Sequence, residues 1–209
     1  YKDSSLTNNQ KITKRIAMFD IENGLRQSEF FPYHDYPLNQ VRGIHHSIIS
    51  FMSDMHPVRN HDEAKDFIKR TDLAKDVYAG VLDGLQRQAA EGIFAPEFVY
   101  AHVIEQLNEM INYSFNEHPL YTQFMKKAEL LEISKAELAS LESKLILSIE
   151  NSVTPGFILL RDFMVSTKNS ANPHHGIWSQ PNGDEFYKLR IRTYTTTDYS
   201  PQEIHDMGI

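Results

Sequence analysis

Apolar residues recur along this chain at steps of three and four, the spacing that gathers them on one side of a helix. Leu73, Val77, Tyr78, Val81, Leu82 and Leu85 follow it and predict an amphipathic helix of about five turns. It ends near Glu91-Gly92, where glycine suits a left-handed cap. Pro96 fits the first turn of the next helix, which carries Phe98, Val99, Val103, Ile104, Leu107 and Ile111. The link is short, so these two helices are expected to pack as an antiparallel hairpin. Ser134-Lys135-Ala136-Glu137 is a capping box ahead of the stripe Leu138, Leu141, Leu145 and Ile149. Thr154-Pro155 is expected to restart a helix with Phe157, Leu160, Phe163 and Met164 inward.

Elsewhere the pattern is less regular. Residues 1–12 are polar and read as frayed or capping structure, followed by a helix over Thr13–Glu29 that Asn23-Gly24 weakens before Phe30-Phe31-Pro32. Residues 30–60 are irregular, with prolines, glycine and His34, His45, His46 and His56 interspersed, and a short helix over Gly43–Met52. His61-Asp62-Glu63 opens a helix with acidic residues early and Lys69-Arg70 late, as the helix dipole favours. Asn112–Glu132 is mixed. Asn182-Gly183 is a turn. After it, Tyr187, Leu189 and Ile191 alternate like a strand, while Tyr187, Ile191 and Tyr194 fit one helical face; the acidic start at Asp184-Glu185 favours the helix. Ser200-Pro201-Gln202-Glu203 combines a capping box with proline at the first helical position. That helix completes barely two turns by Ile209, which suggests a piece of a longer chain, truncated at the C-terminus. The fold class expected is mostly α, an irregular multi-helix bundle with antiparallel hairpins and little or no β.

Composition narrows the chemistry. The 209 residues are 41% hydrophobic and 23% charged, ordinary values for a folded domain. The net charge of −7 argues against a nucleic-acid partner. Cysteine is absent, which excludes disulfides, thiolate metal sites and a cysteine nucleophile within these residues. No apolar run approaches the roughly 20 residues of a spanning helix.

Ten histidines invite a metal reading, yet no His-Glu-x-x-His occurs. The pairs His45-His46 and His174-His175 are adjacent, so their rings are expected to diverge rather than share an ion. The plainer reading of the first pair is the start of a short helix with Ile44, Ile48, Ile49 and Met52 inward. No nucleophile elbow, phosphate loop or dinucleotide turn is present. The remaining candidate is Pro173–Tyr194. His174 and His175 offer donors, and Gly176 permits close backbone approach. Trp178 could wall an apolar pocket. Tyr187 and Arg190 share a face if the segment is helical, and Arg190 could then hold a carboxylate with two donors. The competing reading, favoured on these residues alone, is a buried loop with Trp178 as core and Arg190 in a surface ion pair.

The order of segments adds to this. Pro37-Leu38-Asn39-Gln40 precedes Gly43, and Glu91-Gly92-Ile93 precedes Pro96. Pro155 and Phe163 follow, then Gly176-Ile177-Trp178 with Pro181, Gly183 and Tyr187. The last block holds Thr195-Thr196-Thr197, Ser200-Pro201-Gln202-Glu203-Ile204-His205 and Gly208. Almost end to end, this resembles the bacterial "domain of unknown function 885" family, many of whose members are envelope lipoproteins. The resemblance implies a mostly helical fold and a parent protein that is a zincin-like metallopeptidase. The metal motif expected there, a His-Glu followed shortly by Gly-His, lies downstream of the last block. Zinc is therefore implied for the parent, none for this chain, and no catalytic or metal-binding residue carries over. Residues 1–209 would be a single helical domain or the N-terminal part of a larger catalytic domain. Its partners would be the C-terminal remainder and a peptide substrate, on the periplasmic side of the envelope. It would form one wall of the cleft, with His174, His175, Gly176, Trp178, Tyr187 and Arg190 nearest the substrate. The alternative is a helical envelope binding module or interaction scaffold without catalysis.

Overall fold

The computed structural model describes residues 2–30 and 36–209; Phe31, Pro32 and His34, read above as part of an irregular stretch, lie outside them. Ten α-helices are formed among the described residues. They are α1 (Asn8–Glu29), α2 (Ile44–Ser50), α3 (His61–Asp72), α4 (Ala74–Ala90), α5 (Glu97–Asn112), α6 (Pro119–Ala128), α7 (Lys135–Ser148), α8 (Thr154–Thr167), α9 (Gly183–Thr195) and α10 (Pro201–Met207). No strand forms among them, and the isolated bridge is Pro96 to Asn172. The mostly α expectation holds. The chain divides into two compact units: Tyr1–Asp35, Glu91–Ile93 and His175–Ile209 make the smaller, Tyr36–Ala90 and Phe94–His174 the larger.

In the larger unit α8 is the central helix, packed most extensively against α5 and α4, while α7 packs on α3. Its inward residues Phe157, Leu160 and Met164 are buried, as the periodicity predicts, and meet Tyr78 and Leu85 of α4 and Val99, Val103 and Leu107 of α5 in one core. The expected direct pairing of α4 with α5 thus gives way to α8 packing against both. Gly156 makes the approach possible, because a Cβ there would sit 2.4 Å from the Tyr78 ring. The turn before α5 is as read: Gly92 adopts φ +74°, the left-handed cap that glycine permits.

Pro155 does not restart a helix after a break. Helical backbone runs on from α7 through a π-turn, Ile149–Val153, into α8. The wider turn accommodates the amide hydrogen that proline lacks. Within it, Ser152 Oγ donates to Asp72 O at 2.7 Å and accepts from Lys75 N–H at 2.9 Å, tying down the α3–α4 junction. The mixed stretch Asn112–Glu132 contains α6, whose Leu120, Phe124 and Ala128 are buried.

The Pro37–Gly43 motif has a local logic. Asn39 Oδ1 accepts from Val41 N–H and Arg42 N–H at 3.0 and 2.7 Å, and Pro37 O accepts from Ile44 N–H at 2.9 Å. The turn delivers His45 into the core with no exposed surface, its ring against the Gly43 backbone.

The smaller unit is built on α1, α9 and α10. Thr7 and Gln10 form a capping box that starts α1 at Asn8, inside the stretch read as frayed or capping structure, and α1 passes through Asn23-Gly24 unbroken. α9 settles the strand-or-helix alternative in favour of the helix, and Ser200 with Glu203 caps α10 as expected.

Candidate functional site

The loop before α9 is shaped by two close approaches. The Trp178 indole lies on Gly176, where a Cβ would meet Nε1 at 2.2 Å. Gly183, the first residue of α9, lies on the backbone of Ile177, where a Cβ would meet the carbonyl oxygen at 1.8 Å. The segment folds on itself: Ser179 Oγ donates to Gly176 O at 2.7 Å, Gln180 N–H to Ile177 O at 3.0 Å and Gly183 N–H to Gln180 O at 3.0 Å. Asn182 takes the left-handed conformation, φ 53°, that turns the chain into the helix.

The loop presents Trp178 outward, 63% exposed, so Trp178 is not core. On α9, Tyr187 and Arg190 share a face with Tyr194, as their spacing predicts; the tyrosines are 48% and 75% exposed. Among the described residues Arg190 is in no ion pair, unlike the competing reading. Its Nη2–H donates to the Tyr194 hydroxyl at 2.7 Å, and its guanidinium carbon stands 4.9 Å from that ring's centroid and 6.0 Å from that of Phe186. His175, Gly176, Trp178, Tyr187 and Arg190 therefore all belong to the smaller unit, the last two on one helical face. His174 is the last residue of the larger unit, where its N–H donates to Asn172 Oδ1 at 2.9 Å.

The sequence reading missed Arg192. It points the other way from Arg190, with its side chain only 14% exposed. It donates to Asp198 Oδ1 at 2.8 Å and to Asn23 Oδ1 of α1, and lies 4.5 Å from the Phe19 ring centroid. The available signal was Asn23, a polar residue in register with Ile12, Ile16 and Phe19. Beside this hub is a cavity of about 520 Å³ lined by Arg26, Glu29, Glu185, Lys188, Arg192 and Asp198, a balance of charges that favours neither sign of ligand.

In the larger unit His45, His56 and His118 are buried, and burial lowers the pKa of each. His45 Nε2 is 3.2 Å from Gln106 Oε1, and its Nδ1 has no partner among the described residues. Burial lowers its pKa from 6.5 to about 4, against the Gln106 hydrogen bond and with help from His46. His118 caps α6, Nδ1 accepting from Leu120 N–H at 3.2 Å, so its proton is on Nε2. Burial lowers its pKa to about 4 as well. The rings of His45 and His46 do not diverge as expected but stand 4.3 Å apart. Among the described residues, no three His, Asp or Glu side chains gather so as to hold a metal ion. No described helix is long and apolar enough to cross a membrane.

A family model described as "Bacterial protein of unknown function (DUF885)" matches residues 1–209. The chain belongs to the DUF885 family. Among solved structures, this DUF885 chain is similar to the crystal structure of the "putative lipoprotein" from Colwellia psychrerythraea, with a TM-score of 0.78 and 24% identity. The match covers 82% of this chain and 30% of the Colwellia chain, so the helical fold corresponds to under a third of that protein. No curated protein matches the DUF885 chain.

Proposed function

We propose that this chain is the non-catalytic helical portion of a zinc-dependent, peptidase-like protein of the bacterial envelope. In this reading the smaller unit supplies one wall of the substrate cleft, through His175, Gly176, Trp178, Tyr187 and Arg190. The observation that carries it is the outward face of α9 and its preceding loop: an exposed indole, two exposed phenols, and a guanidinium that spends one N–H on Tyr194 and has no other hydrogen bond or ion pair among the described residues. Exposed aromatics beside a cation suit an apolar side chain next to a carboxylate, as a peptide terminus or acidic residue offers. The family and the small share of the Colwellia chain that is matched support a longer parent, and that protein's name supports the envelope. Metal ligands and general base would come from the remainder.

The test is peptide turnover by the parent protein carrying R190A, R190K or Y187A. Losing a hydrogen-bonded charge contact is worth about 1.5–3 kcal/mol. R190A is thus expected to lower kcat/KM about 10- to 100-fold, mostly through KM, with R190K recovering part. Unchanged turnover in both R190A and Y187A would remove this face from the cleft. Peptide binding that R190A weakens, without turnover by any form, would favour a binding module.

A further inference from the structure

α1 is apolar on two opposite sides, and among the described residues its contacts with α9 lie on one of them, toward its C-terminal half, while Ile12 and Ile16 earlier on that side are 55% and 58% exposed. On the first side Phe19, Asn23 and Gln27 meet α9: Arg192 lies over Phe19 and donates to Asn23, and Gln27 Nε2–H donates to Thr193 Oγ1 at 3.2 Å. On the reverse, Met18, Ile21 and Leu25 stand at i, i+3 and i+7, the spacing of one stripe. They are 50%, 63% and 64% exposed, and Asn23 is the one buried residue of this 22-residue helix. A helix with apolar stripes on both sides is made to be covered on both.

From this we infer that the Met18–Ile21–Leu25 stripe docks the remainder of the same polypeptide, holding α1 between α9 and a segment beyond the residues described. The inference rests on the reading of the chain as part of a longer protein and names the surface where the two parts meet. The occupant follows from proportion: a fold similar over 82% of this chain fills only 30% of the Colwellia chain, so more than twice as much polypeptide accompanies these helices there.

Thiol protection in the parent protein tests this. Residues 1–209 contain no cysteine, so in a parent whose other cysteines are replaced by serine each introduced thiol is read alone. I21C is expected to react with maleimide at least about tenfold more slowly than D20C, on an exposed polar flank of the same helix, with protection independent of protein concentration. M18C repeats the measurement at the other end of the stripe. Reaction of I21C and M18C at the D20C rate overturns the inference. Protection that vanishes on dilution as the mass halves assigns the stripe to a second copy, and protection that appears only with phosphatidylglycerol vesicles assigns it to lipid; both overturn it too. The readout is burial, so it stands or falls apart from peptide turnover.

Discussion

Between pH 6.5 and pH 4 the larger unit is expected to lose on the order of 6 kcal/mol of stability, about 3 kcal/mol from each of His45 and His118. Both have a folded pKa near 4 against an ordinary 6.5, so in that window the unfolded chain binds protons that the folded chain refuses. Stability from this source is complete above pH 6.5 and falls with pH until the folded pKa is reached. The structural cause is plain at each site. Protonating His45 places a charge on a buried Nδ1 with no partner among the described residues, and protonating His118 removes the acceptor that caps α6. Urea midpoints from pH 7 to 4.5 measure the effect. H118N keeps a cap acceptor that does not titrate there, so it should lower the proton uptake on unfolding by about one. A pH slope unchanged in H118N would show that His118 titrates normally.

G183A is expected to cost the smaller unit about 3 kcal/mol. Its Cβ would be driven into the Ile177 carbonyl, which is backbone and cannot swing aside as a side-chain tip does. The loop that carries Trp178 and the first turn of α9 would have to separate. G24A is the matched control in the same unit. A Cβ at Gly24, inside α1, meets nothing within 4 Å, and the exchange should stabilise by about 0.5–1 kcal/mol. Thermal unfolding of the two variants reads both, and the signs should be opposite. Equal effects would mean that the Gly183–Ile177 approach relaxes at little cost.

The parts of this fold legible in the sequence were those governed by local chemistry. Caps at Ser134 and Ser200, the glycine turn at Gly92 and the buried stripe of α8 all follow from neighbours within a few residues. What escaped depends on contacts distant in sequence. The partner of α4 is α8 rather than its neighbour α5, because Gly156 and Tyr78 fit together across the fold. The π-turn before Pro155 keeps a helix going where proline chemistry alone suggests a restart. At the candidate site, spacing was enough to place Tyr187 and Arg190 on one face. It was not enough to expose Trp178, since that depends on the loop's close approaches at Gly176 and Gly183, nor to find Arg192, whose role needs α1 beside α9.

The claim that the Trp178–Arg190 face lines a substrate cleft is tested most directly by Trp178 itself, the single tryptophan of these residues. The signal is the emission difference between the parent protein and its W178F variant during titration with peptides that the parent hydrolyses. A peptide on this face should shift or quench that difference and saturate at the concentration that saturates turnover, with R190A moving both together. A difference spectrum that stays flat while hydrolysis proceeds would place the substrate elsewhere.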